Sequence, residues 1–322
     1  MRVNRSAARV VLIGGGTGLS TSLRGFKDRA ALVAIVTVTD DGGSSGRLRR
    51  ERGIPAVGDI RRCLVALSDA PPSLKALFEY RFKHGPYANH SLGNIAISKC
   101  IECAGDFMRG IEKVGRLLSV RGRVLPSTLE LVDLHAEMED GSWVKGETAI
   151  VQYPARIRRL HLNPPTAAPL DEAVQAIEEA DTVVVGPGSL YTSVMPNLLI
   201  KGIAEALRCT KALRIYVCNI LTQPGETDGF TAADHVCAIE AHAGKRLFDC
   251  VLVNTARPRP ELIKECCHNR QRFVEPDLKR IQRLGYRVVV GRFADDTRIG
   301  QHHPDRLADA ILRLLGLAKR VG

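Results

Sequence analysis

Short runs of β-favouring apolar residues recur along the chain, at residues 10–13, 32–38, 182–185, 213–217, 250–253 and 287–290. Each run is continuous rather than alternating, as expected of a strand covered on both faces. Between them, apolar positions return with a helical period over 171–180, 197–207, 231–242, 278–284 and 305–315. The first of these segments carries Asp171 and Glu172 where the positive end of a helix dipole favours acids. Strands alternating with amphipathic helices predict an α/β fold: a doubly wound, mostly parallel, Rossmann-like sheet.

Residues 118–166 break this rhythm. Apolar and polar positions alternate over 123–126, 129–132, 144–147 and 155–158, with a turn signal at Glu139-Asp-Gly-Ser142 and a stop at Asn163-Pro-Pro. A period of two predicts antiparallel strands, and the segment is too small to bury much of a core alone. The expectation is one Rossmann-like domain over 1–322 with a β-rich segment inserted at 118–166.

A hydrophobic content of 45% supports a sizeable core, while 46 Lys+Arg against 35 Asp+Glu leave a net charge of +11. Basic residues gather at 47–52, 61–62, 156–159, 257–259 and 270–272, a surface that favours anionic partners or simply solvates the protein. Nucleic acid is the weakest of those partners, because aromatics make up only 5% of the chain and no nucleic-acid module is recognisable. Nine cysteines without a secretory leader predict reduced thiols and a cytoplasmic location. Cys100 and Cys103 form the one C-x-x-C pair, in a segment that reads as helix, with no second pair at zinc-site spacing. No apolar run reaches the ~20 residues that a membrane span requires.

Polar, glycine-rich motifs follow most strands: Gly14-Gly-Gly-Thr-Gly18, Thr39-Asp-Asp-Gly-Gly-Ser-Ser-Gly-Arg47, Gly186-Pro-Gly-Ser-Leu-Tyr191, the 219–229 segment starting at Asn219, and Asn254-Thr-Ala-Arg257. In an open parallel sheet, ligands bind beyond the carboxyl ends of the strands, so these loops predict one shared crevice. The first motif is neither the dinucleotide fingerprint, since Leu19 stands where its third glycine would be, nor a P-loop. Its glycines still let the backbone approach a phosphate at a helix N-terminus. Asp40 and Asp41 suit ribose hydroxyls or Mg²⁺, Ser44 and Ser45 with their glycines suit a phosphate nest, and Arg47 is placed to close on the anion. The alternative is that an aspartate caps the next helix. Asp59 and Arg61 are either site residues or a helix-surface ion pair. His90, Ser91 and Asn94 either cap a helix, with Ser91 as N-cap, or supply a hydroxyl and an amide to a site. His235, His302 and His303 read as surface or capping residues.

Taken together, Gly-Gly-Gly-Thr-Gly-Leu-Ser, Asp-Asp-Gly-Gly-Ser-Ser-Gly-Arg-Leu-Arg, Gly-Asp-Ile-Arg, His-Ser-Leu-Gly-Asn, Gly-Pro-Gly-Ser-Leu-Tyr-Thr-Ser and Thr-Gln-Pro-Gly-Glu-Thr-Asp-Gly closely resemble the gluconeogenesis factor (YvcK) family. That family belongs to a larger group that includes the 2-phospho-L-lactate transferase CofD. The resemblance covers nearly the whole chain. It implies a cytoplasmic protein that binds nucleotide-sugars of the UDP-N-acetylglucosamine type and regulates carbon metabolism, cell-wall precursor supply and cell shape. A protein partner and a homo-oligomer are expected with it, and a transferase acting on a phosphorylated small molecule with Mg²⁺ is the alternative. By position, Gly15, Gly16, Thr17 and Gly18 would hold phosphate. Asp40, Asp41, Ser44, Ser45 and Asn94 would line the crevice, and Gly186, Pro187, Gly188 and Ser189 would form a second wall. The catalytic candidates of the transferase reading are Asp40, Asp41 and Asp59, with Asp40 and Asp41 as metal ligands. The chain departs from the family pattern at Arg62, where Asn is common, at Gln301, where Arg is common, and at Cys266, near an expected aromatic in a helix starting at Glu261.

Overall fold

A computed structural model describes residues 7–257, 266 and 268–321, with side chains as far as residue 316. The expectations for Arg259, Cys267 and a helix starting at Glu261 lie outside the described residues. Ten strands are described: β1 (Arg9–Gly14), β2 (Ala31–Val36), β3 (Arg123–Pro126), β4 (Asp133–Met138), β5 (Trp143–Lys145), β6 (Ile157–Asn163), β7 (Thr182–Val185), β8 (Leu213–Val217), β9 (Cys250–Asn254) and β10 (Arg287–Gly291). Seven form a parallel sheet in the order β10-β9-β8-β7-β1-β2-β3. The chain runs outward from β1 to β3 and then returns to the other side of β1, so β1 and β7 flank the topological switch point.

Helices flank this sheet. The first six are α1 (Gly16–Phe26), α2 (Gly43–Arg52), α3 (Gly58–Leu67), α4 (Pro72–Glu79), α5 (Leu92–Ala104) and α6 (Phe107–Leu117). Next come α7 (Glu147–Gln152) and α8 (Asp171–Glu178), a π-helical turn at Leu190–Val194, and α9 (Met195–Leu199). The described helices end with α10 (Lys201–Cys209), α11 (Ala232–Ala243), α12 (Leu278–Arg283) and α13 (Pro304–Val321). Local chemistry sets several starts. Thr231 and Asp234 form a reciprocal capping box on α11, and the Asp106 carboxylate accepts the Arg109 amide at 2.8 Å to open α6. The segment 197–207, expected as one helix, is divided between α9 and α10 at Ile200, whose ψ of 109° is extended. Among the described residues no helix is long and apolar enough to cross a membrane.

The boundary of the insertion differs from the expected one. Residues 123–126 pair in parallel with β2, from Val33↔Arg123 to Val36↔Pro126, as the edge of the main sheet. Val124, Leu125 and Pro126 are all buried, which is the signature of a covered strand rather than an alternating one. Residues 129–132 form no strand. The antiparallel sheet is β5-β4-β6, and along β4 Leu134, Ala136 and Met138 point inward, into the same apolar cluster as the parallel strands. Arg49, nearly buried on α2, ties the start of this sheet down by donating to Val132 O at 2.6 Å and pairing with Asp133 at 2.8 Å. His235 is a further difference: it is fully buried within α11, with Nδ1 on Thr231 O at 2.8 Å, because its helix face packs inward.

Helix α1 lies directly on the start of α13. A methyl group at Gly25 would overlap the Pro304 carbonyl, and backbone cannot swing aside as a side chain can. Gly25→Ala is therefore expected to lower stability by about 1–3 kcal/mol. Gly316 is exposed on α13 with open space around it, and Gly316→Ala is expected to raise stability by about 0.5–1 kcal/mol. Urea unfolding of the two variants checks this, and equal midpoints would show that α1 and α13 are not in such contact.

Candidate functional site

A cleft of about 420 Å³ opens at the carboxyl ends of β1, β2, β7 and β8, at the switch point. Its first wall is the glycine turn after β1. Gly16 takes a φ of +63°, a left-handed conformation that a side chain would oppose, and this swings the chain from β1 into α1. The Gly16 amide donates to Asp59 Oδ2 at 2.6 Å, while the amides of Thr17 and Gly18 are the remaining donors of the first turn. At Gly18 the constraint is contact, since a Cβ there would overlap the Pro187 carbonyl. The two walls therefore touch backbone to backbone. Asn197 secures them from behind, donating to Gly14 O at 3.2 Å and Ser193 O at 2.8 Å.

The second wall is the loop after β7, held by amides from the loop after β8. Gly188 N donates to Asn219 Oδ1 at 3.2 Å, Asn219 Nδ2 to Gln223 Oε1 at 3.2 Å, and Gln223 Nε2 to Ser189 Oγ at 2.6 Å. Of the residues expected from sequence, the cleft brings together Gly15, Gly16, Thr17, Gly18, Asp40, Asp59, Pro187, Gly188, Ser189 and Asn219. Gly186 sits just behind this lining, at a φ of +78°. Arg62 and Gln301, two of the departures from the family pattern, also line the cleft. Cys266 does not, being buried in a small apolar cluster with Ile220 and Leu221.

The other expected residues are engaged elsewhere. Asp41 Oδ1 accepts the Thr148 amide at 3.0 Å and its hydroxyl at 2.8 Å, so it caps α7. Ser44 Oγ meets His90 Nδ1 and the Ser91 amide, both at 3.1 Å, and Ser45 Oγ meets Asn94 Nδ2 at 3.5 Å. Asn94 Oδ1 accepts from Arg61 Nε at 2.8 Å, and Arg61 also donates to Phe78 O at 3.1 Å. These side chains form one buried polar network joining α2, α3 and α5. Ser91 does precede α5 but caps it with no side-chain bond, its hydroxyl donating to Phe78 O at 3.3 Å instead. Arg47 donates to Ala88 O at 2.5 Å, and Asp59 pairs with Arg62 at 3.2 Å rather than with Arg61. Asp40 accepts the Gly42 amide at 2.9 Å and faces the cleft, so Asp40 and Asp41 do not converge on a common point for a cation. Among the described residues no group of three or more His, Cys, Asp or Glu is arranged to hold a metal ion.

Sequence reasoning missed Glu147, which the insertion delivers into the cleft from the start of α7. No local motif marks it. Burial, followed by the neighbouring Asp40 and Asp59, pushes its carboxyl up to about 9. Burial also raises Asp59, against Arg62 and the Gly16 amide, which both favour its charged form. Behind the second wall, buried Glu226 accepts from Tyr191 N at 3.0 Å and Thr192 Oγ1 at 3.2 Å, and burial raises it to about 7. His302, expected as a surface or capping residue, also lines the cleft. It is buried, not a surface residue, because its segment bridges to Ala294 beneath the cleft, and burial lowers it to about 4. His303 behaves as expected for a cap, at the N-terminus of α13. Thr21 Oγ1, Gln301 Oε1 and His302 Nε2 are buried polar atoms beside the cleft with no partner in the protein, an arrangement that suits a bound polar molecule.

The raised carboxyls make stability depend on pH. Between about pH 4.5 and their folded values, Glu147 and Glu226 hold protons in the native state that the unfolded chain has lost. Their stabilising contribution is present below the unfolded value and is lost as pH rises, through about 7 for Glu226 and about 9 for Glu147. Thermal unfolding of the wild type and Glu147→Gln from pH 6 to 9 is expected to show the variant losing less stability over that range. Parallel curves would place Glu147 in an ordinary environment.

Comparison with known proteins agrees with the fold. The sequence profile of the 2-phospho-L-lactate transferase CofD family matches residues 10–294. A gluconeogenesis factor of Halalkalibacterium halodurans is 45% identical over 307 residues, covering 94% of this chain and 95% of the relative. The gluconeogenesis factor of Bacillus subtilis is 43% identical over 312 residues, covering 95% of this chain and 98% of the relative. A crystal structure of a Bacillus halodurans protein superposes with a TM-score of 0.93 at 43% identity, covering 96% of this chain and 100% of that one. The chain belongs to the gluconeogenesis factor family, within the wider CofD group.

Proposed function

We propose that the cleft binds a nucleotide-sugar of the UDP-N-acetylglucosamine type and that the protein acts as a cytoplasmic regulator of carbon metabolism, cell-wall precursor supply and cell shape. The observation that carries this reading is the glycine turn at the switch point, where the first turn of α1 meets the second wall at Gly18 and Pro187. Free amides and a helix dipole at that point favour a phosphate. The amides and hydroxyls around Asn219, Gln223 and Ser189, with the unpartnered Thr21, Gln301 and His302 atoms, suit the hydroxyl and amide groups of a sugar. A bound ligand changes what the surrounding loops present to a protein partner or to a second copy of the chain.

The second reading is a transferase acting on a phosphorylated small molecule with Mg²⁺, in line with the CofD profile. The carboxylate of Asp40 in the cleft favours it, whereas the divergence of Asp40 and Asp41 does not support the pair as joint metal ligands.

Thermal shift with UDP-N-acetylglucosamine, UDP-glucose, GDP and NAD separates the readings. A ligand at a hundredfold its Kd adds about 2.7 kcal/mol of apparent stability. Stabilisation by the UDP-sugars, lost in Gly18→Ala where a methyl forces the walls apart, is the expected result. No response to any UDP-sugar would sink the nucleotide-sugar reading. Turnover of a phosphorylated substrate, abolished by Asp40→Asn, would promote the transferase in its place.

A further inference from the structure

A second cavity, of about 660 Å³, lies between α1, α3 and α4 and shares Thr17 and Arg62 with the cleft. Its walls carry five cations, Arg24, Lys27, Arg61, Arg62 and Lys75, against one acid, Glu79. Two of the five are balanced: Lys27 by Asp69 at 2.6 Å, and Arg62 by Asp59 at 3.2 Å. Arg61 is buried and hydrogen-bonds only neutral oxygens, those of Asn94 and Phe78. Among the described residues, the side chains of Arg24 and Lys75 make no hydrogen bond or ion pair. Like charges also face one another here. Burial first, then Arg62 and Arg81, lower the Arg61 guanidinium to about 10, with Glu79 and Asp59 opposing them.

Cations that outnumber their counter-charges in a concavity raise the energy of the empty fold and lower that of a complex with an anion. Guanidinium groups meet phosphate and carboxylate oxygens in a two-pronged geometry that an ammonium on a flexible stem complements. A cavity of this volume fits a small molecule. Its lining contains no aromatic ring, the usual platform for stacking the bases of a single-stranded nucleic acid. We propose that this groove is a second ligand site, adjoining the cleft at Thr17 and Arg62 but with its own charged groups, for a small molecule bearing a phosphate or carboxylate group. Arg24 and Lys75 would meet its charge from opposite walls, and Arg61 would supply the buried positive field beneath it. The proposal does not depend on what occupies the cleft.

Calorimetric titration of the full chain with inorganic pyrophosphate and with citrate tests it, in the wild type and in Arg24→Gln/Lys75→Gln. Arg24 is exposed, Lys75 is half-buried, and neither side chain holds another, so the double variant keeps its fold and its melting curve. The expected result is that at least one probe binds the wild type and binds the double variant tenfold or more weakly. Preference for pyrophosphate assigns a phosphate ligand, and preference for citrate a carboxylate one. UDP-N-acetylglucosamine stabilises the variant as it does the wild type if the cleft takes that ligand, so the failure of either site is read separately. The proposal is overturned if neither probe binds the wild type at millimolar concentration, if the double variant binds both unchanged, or if a single-stranded oligonucleotide displaces the probe.

Discussion

The carboxylate of Asp59 at the N-terminus of α1 is the interaction on which the site depends. The first turn of α1 leaves backbone N–H groups without helical partners and concentrates the positive end of the dipole there. Asp59, at the start of α3, meets one of them at Gly16 N. The contact requires that Gly15 carry no side chain, since a Cβ would lie 2.6 Å from Asp59 Oδ2 and 2.7 Å from Thr37 Cγ2. Arg62, one helical turn beyond Asp59, balances the charge. A single carboxylate thus ties α3 to the first turn of α1 and satisfies one of its amides, at the edge of the cleft that Thr17 and Gly18 also line.

The parts of the fold open to sequence reading were those with a strict physical period. Residues 182–185 and 213–217 have the expected bounds, because a strand covered on both faces is mostly apolar, with Arg214 at the half-buried start of the second one paired to Asp249. β3 was hidden because Arg123-Val-Leu-Pro is short and stands beside an alternating region; its cover on the second face comes from elements distant in sequence. The glycine turns of the site were readable for a related reason. A positive φ at Gly16 and the backbone contact at Gly18 are demands that only glycine meets. Side-chain direction carries no such demand. Asp40 and Asp41 are neighbours with similar chemistry, yet one faces the cleft and the other caps a helix of the insertion.

That divergence gives the insertion its place in the site. Asp41 accepts both the amide and the hydroxyl of Thr148, which fixes the start of α7, and the preceding residue is Glu147. The acid missing from the sequence reading is therefore positioned by one expected to bind ligand itself. Arg49, at the other end of the same loop-helix unit, holds the start of β4 through Val132 and Asp133. Two ties from α2 and the loop before it thus bring a distant β sheet to the carboxyl edge of β2.

An acidic floor is at first sight a poor place for a phosphate, since Asp40, Asp59 and Glu147 all line the cleft. Their formal charge overstates the field that a ligand meets. Glu147, raised to about 9, is protonated at neutral pH and offers an O–H donor rather than a charge. The charge of Asp59 is drawn onto Gly16 and Arg62, leaving Asp40 as the one carboxylate whose bonds in the protein go to its own loop. Burial is what chiefly keeps the proton on Glu147, and the neighbouring acids add to it, because each added negative charge makes its ionisation more costly. A cluster that would repel an anion if fully ionised thereby carries less negative charge and one O–H donor, and the insertion that delivers Glu147 sets that balance.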